Sequence, residues 1–94
     1  MNSNKVSDYI ANKVKDLRKY HPKQAFKNFD YKVYNGSFGS ILISLSGDYY
    51  SIPTRYVTTY EAIDSLISEW VHYATHNLYA RYWDKHHKSG ARAV

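Results

Sequence analysis

The residues that could do chemistry here are five histidines, eight carboxylates and many hydroxyls. Glu69, His72 and His76 stand three and four residues apart, a spacing that puts three metal donors on one face of a helix. His86 and His87 follow. The glutamate-beside-histidine arrangement of zinc hydrolases is missing, and no second ligand cluster accompanies the three. The expectation is therefore a polar helix face and no metal site. None of the serines sits in a nucleophile elbow. With no cysteine in the chain, a thiol nucleophile and a thiolate metal site are both excluded. The run from Asn35 to Ser40 carries two glycines but neither the spacing nor the lysine of a phosphate-cradling loop. The expectation is no catalytic residue, no cofactor and no enzyme.

Charge is more informative. The net charge is +5, and it is segregated. Residues 1–32 hold eight Lys/Arg against three Asp, residues 33–80 one against four acids, and residues 81–94 four against one. Lys13, Lys15, Arg18, Lys19, Lys23, Lys27 and Lys32 form the first basic band, of the kind that contacts phosphates without reading sequence. Tyrosine is the other excess, with 11 in 94 residues. A rigid ring with a polar tip suits a binding surface. Tyr34 and Tyr49, beside Lys32 and Leu42, are expected on an uncovered sheet face, where aromatics next to a cation can stack bases.

These residues need elements to position them. Val6, Ile10, Val14 and Leu17 keep helical spacing and predict a helix over residues 3–20, ended by Pro22. Residues 21–28 read as a basic connection with room for one short turn. Residues 29–34 alternate as a strand, Asn35-Gly36 reads as a tight positive-φ turn, and residues 38–45 resume the alternation. Ser46-Gly47-Asp48 makes a second turn. A short strand over residues 49–52 is expected to stop at Pro53 or to lie at an edge. Residues 58–82 then predict a long helix, with Thr58 and Glu61 as a capping box and Tyr60, Ile63, Ile67, Trp70, Val71, Ala74 and Leu78 as its apolar stripe.

The fold expected is α+β, a two-layer α-β-β-β-α arrangement with a three-stranded antiparallel meander. Leu17, Ile41, Ile43, Ile52, Ile63, Ile67 and Trp70 are the expected core. One domain over residues 1–87 is predicted, with a frayed tail over 88–94. Thr75-His76-Asn77 is a weak helix-forming run. Either the last helix breaks there, or its aromatic end (Tyr79, Tyr82, Trp83) projects and packs on a second chain, giving a homodimer. No apolar run reaches the length of a membrane span, the first ten residues lack the apolar core of a secretory signal, and a cytoplasmic setting is expected.

The element order, with Thr58-Thr59-Tyr60-Glu61-Ala62 opening the last helix, resembles a double-stranded-RNA-binding domain, although that family's phosphate-gripping lysine pair is absent at this stretch. Residues 29–70 are also similar to the arm-binding domain of phage-type integrases. Its Phe-x-Thr-x-x-Glu-Ala pattern is matched by residues 56–62 with Tyr56 for Phe, and the resemblance implies DNA reading by the open sheet face. The functional expectation is a small nucleic-acid-binding accessory protein of phage or mobile-element type, for DNA or RNA. The alternative is a protein–protein interaction module that inhibits a host enzyme or defence complex, since Tyr and Trp also dominate protein interfaces.

Overall fold

Two helices cover one face of a three-stranded antiparallel sheet in the computed structural model, which describes the backbone of residues 1–93 and the side chains of residues 1–81. The elements are helix α1 (Ser3–Leu17), a 3-10 turn (Lys23–Phe26), strands β1 (Asp30–Asn35), β2 (Ile41–Ser46) and β3 (Ile52–Val57), and helix α2 (Tyr60–Ala93). The strands lie in the order β1-β2-β3. The expected α+β class and meander are what the chain forms.

Helix α1 starts where Asn2 Oδ1 accepts from the backbone N–H groups of Asn4, at 2.8 Å, and Lys5, satisfying donors that a first turn leaves free. It ends at Leu17, short of the expected residue 20. Val6, Ile10 and Val14 are buried on its inner face. Leu17, expected in the core, is only half-buried because it sits on the last turn.

Residues 21–28 do more than connect. Their 3-10 turn inserts Ala25 and Phe26 into the core. Phe26 and Phe29 pack on the Trp70 ring, with centroids at 5.4 and 4.6 Å. Asn28, in the left-handed region at φ 57°, turns the chain into β1 and donates through Nδ2 to Asp48 at 3.0 Å; Asn is among the few side chains that accept this conformation.

The strand phase is as expected. Tyr31, Val33, Ile41, Ile43, Leu45, Ile52 and Val57 face the helices, and the last five are buried. Two boundaries differ. The third strand does not end at Pro53 but runs through it to Val57. That is tolerated because β3 is an edge and the ladder shifts by one residue between Ile43/Arg55 and Leu45/Ile52, a bulge that absorbs the missing donor. The first hairpin does not turn at Asn35-Gly36 with positive φ. Asn35 is still paired with Ile41, and the positive values fall at Phe38 (56°) and Gly39 (76°).

The cap of α2 is Thr59 rather than Thr58. Thr59 Oγ1 accepts from the Ala62 N–H at 3.1 Å, and its carbonyl accepts from Ile63. This register puts Ala62, not Glu61, at the third helical position, so no reciprocal box forms. Ile63, Leu66, Ile67, Trp70, Val71 and Ala74 are buried, whereas Tyr60 at the start of the stripe is exposed. The helix does not break near His76. Thr75 Oγ1 bonds the carbonyl of Val71 at 2.7 Å, and Asn77 Nδ2 donates to the Tyr49 carbonyl at 2.6 Å. The Asn77 bond to Tyr49, outside the helix, thus holds a run whose intrinsic propensity is poor. Arg81 lies over the Tyr49 ring at 5.0 Å. Residues 88–93, expected as part of a frayed tail, lie in the last turns of α2, and residue 94 and the side chains of Tyr82, Trp83, His86 and His87 lie outside the described residues.

The helices are joined at their seam by Asp64. The Tyr9 hydroxyl donates to Asp64 Oδ1, and Lys13 Nζ stands 3.6 Å from the same oxygen. Tyr9 also meets the Tyr60 ring edge-on at 4.9 Å. The hydrogen bond to Asp64 above all, then burial and the carboxylate's charge, hold the Tyr9 phenol above its ordinary pKa.

Candidate nucleic-acid interface

The face of the sheet away from the helices is uncovered. Strand alternation puts Lys32 and Tyr34 of β1, Leu42 and Ser44 of β2, and Tyr56 of β3 on it. Tyr34 pairs with Leu42, and Leu42 with Tyr56, so the three form one rung across the sheet. At about 4.8 Å between strands the two tyrosines stand about 10 Å apart. They are 54% and 58% exposed. Lys32, opposite Ser44, occupies the neighbouring rung.

The loop between β1 and β2 closes this end of the face. It is tightly held: the Gly36 N–H donates to the Ser40 carbonyl at 2.8 Å, and Ser40 Oγ donates to the Ser37 carbonyl at 2.5 Å. A side chain at position 36 would run into Ser40 Oγ and displace it from its bond to the Ser37 carbonyl. Ser40 is buried. The Tyr56 hydroxyl reaches the Ser37 carbonyl at 3.4 Å, tying the loop to the aromatic rung. Phe38, at the tip, is fully exposed.

The expected site residues divide into three places. Lys13 faces the other helix and is engaged with Asp64. Lys15 lies in the last turn of α1, and Arg18 and Lys19 follow directly in its C-cap and the turn beyond. Arg18 stacks over Phe26 with its guanidinium carbon 5.6 Å from the ring centroid, which brings it to the 3-10 turn where Lys23 and Lys27 are exposed. Lys19 pairs loosely with Asp16 at 3.8 Å. These five cations make one basic corner at the C-terminal end of α1, where the helix dipole also favours them. Lys32 and Tyr34 lie on the open face, as expected. Tyr49 does not. It precedes β3 and packs against the core beside α2, where Asn77 and Arg81 hold it.

Two exposed aromatics were not foreseen in that role. Tyr56 takes the place expected for Tyr49, because β3 continues past Pro53, where the strand was expected to stop or to lie at an edge. Phe38, expected at the start of the second strand, lies instead in the loop between β1 and β2, flanked by Gly36 and Gly39.

Among the described residues no three His, Asp or Glu side chains come together to hold a metal ion. No described helix is long and apolar enough to cross a membrane. No family model, curated protein or solved structure matches the chain.

Proposed function

We propose that this chain is a non-enzymatic nucleic-acid-binding accessory protein. The observation that carries the reading is the open rung Tyr34–Leu42–Tyr56 with Lys32 beside it. Two half-exposed rings on a rigid sheet offer stacking platforms, and the adjacent ammonium suits a phosphate. The basic corner of Lys15, Arg18, Lys19, Lys23 and Lys27 supports it as a second, sequence-independent phosphate contact. Lys27 leads into β1 and Lys32 lies within it, so a polymer following that strand meets cations before it meets the aromatic rung.

The test is a salt titration of the full chain with single-stranded DNA, duplex DNA and duplex RNA side by side. Binding tighter than about 10 µM at low salt is expected, falling steeply as salt rises. Replacing Lys23 or Lys27 by Ala should weaken binding to all sequences alike and flatten the salt dependence by about one unit. Absence of binding to all three polymers overturns the reading. The second reading, a protein-interaction module, is favoured by one feature, the fully exposed Phe38, which is the kind of side chain that anchors an interface. A homodimer stays within the proposal, because Tyr79 on α2 is exposed and light scattering can decide it.

A further inference from the structure

The backbone at Phe38 has φ 56° and ψ 42°, a left-handed conformation that a bulky side chain adopts only against a steric penalty. The usual remedy is glycine, and Gly39 beside it is already in that region at φ 76°. Phe38 gains nothing in return from packing, since its ring is fully exposed. The hydrogen bonds of Gly36, Ser40 and Tyr56 nevertheless hold the loop in this shape. A strained residue held by its surroundings and aimed into water points to a ligand contact rather than to folding.

The chemistry around the ring selects the ligand. Tyr56, bonded to the carbonyl next to Phe38, places the loop at the end of the Tyr34–Leu42–Tyr56 rung. The nearest charged residue of the open face along β1 is Lys32, one rung away, while its carboxylate, Asp30, lies two rungs farther from the loop than Tyr34. The site is thus three aromatic rings with a cation close by and the acid at the far end. That suits a flat, anionic ligand. We propose that Phe38 stacks on an unpaired base, so that the open face takes a single strand in preference to a closed duplex, whose bases present no free face. This rests on the nucleic-acid reading above and deepens it.

The experiment measures affinity of the full chain for a fluorescent single-stranded oligonucleotide and for the same sequence as a closed duplex. Wild type, Phe38→Gly and Phe38→Tyr are compared, each with a thermal melt. Phe38→Gly should lose about 5- to 100-fold in single-strand affinity, the range that one stacked base contributes, with duplex affinity unchanged. Its melting temperature should rise by several degrees, because glycine carries no penalty at this φ, so the loss cannot be blamed on misfolding. Phe38→Tyr keeps the ring and should stay within about threefold of wild type in single-strand affinity. If wild type binds the single strand and Phe38→Gly binds it equally well, the inference fails while the function stands. Equal losses on both polymers also overturn it. If wild type binds neither polymer, both readings fall and Phe38 becomes a protein anchor.

Discussion

Replacing Trp70 by Phe tests how the core is joined to the segment before β3. Trp70 is 1% exposed, and its indole N–H donates to the Tyr50 carbonyl at 2.7 Å. Phenylalanine keeps an aromatic ring but cannot donate. The Tyr50 carbonyl, half-covered by its surroundings, then loses its partner, which costs about 1–3 kcal/mol. The smaller ring also withdraws from Phe26 and Phe29, whose centroids lie 5.4 and 4.6 Å away, and weakens contacts of about 0.5–1.5 kcal/mol each. The hydrogen bond and part of the two ring contacts give a loss of roughly 2–4 kcal/mol. A domain of this size has roughly 5–14 kcal/mol in all, so the variant should still fold. Urea melts followed by circular dichroism should show the midpoint falling with the slope unchanged. A loss below about 1 kcal/mol would refute the reasoning, because neither the hydrogen bond nor the ring packing could then carry the weight given to it.

Ile43→Ala, at the centre of the covered sheet face and fully buried, should cost about 2–5 kcal/mol in the same melts; a loss near zero would mean the face is not packed. Tyr9 predicts a pH dependence. Its phenol is held above the ordinary value of about 10, so the stability it contributes is complete below that pH and is lost as pH rises above it and through the folded-state pKa. The stability gap between wild type and Tyr9→Phe should therefore be constant from neutral to about pH 9 and narrow above about 10. Urea melts across this range would refute the Asp64 contact if the gap did not change.

Where periodicity and burial agreed, the sequence was easy to read. The Ile41, Ile43 and Leu45 alternation and the stripe from Ile63 to Ala74 are both realised, because a one-residue slip in either would expose apolar side chains. The errors fell where local chemistry depends on tertiary partners. Pro53 ends most strands, but not at an edge with a bulge opposite Ser44. Thr75-His76-Asn77 breaks a bare helix, but here Asn77 has the Tyr49 carbonyl to bond. Phe26 looked like part of a basic linker because one aromatic in a short turn has no period. The candidate site was half legible for the same reason. Lys32 and Tyr34 followed from alternation, whereas Tyr56 depended on the strand continuing past Pro53, and Phe38 on a loop shape that only its hydrogen bonds define.

The bulge in β3 has a consequence for how copies of this chain can meet. A strand edge recruits another strand when it is flat, long and free of proline. β3 is none of these at Pro53, and Arg55, opposite the buried Ile43, sets an exposed charge at the margin of the covered face. β1 has no proline and no bulge. Sheet growth by edge pairing therefore has one open side and one closed side. Two chains joined through the open side would leave only closed sides outward, and the addition would stop there. Closing one edge in this way restrains sheet growth in a protein with 44% hydrophobic residues and no cysteine to form a disulfide.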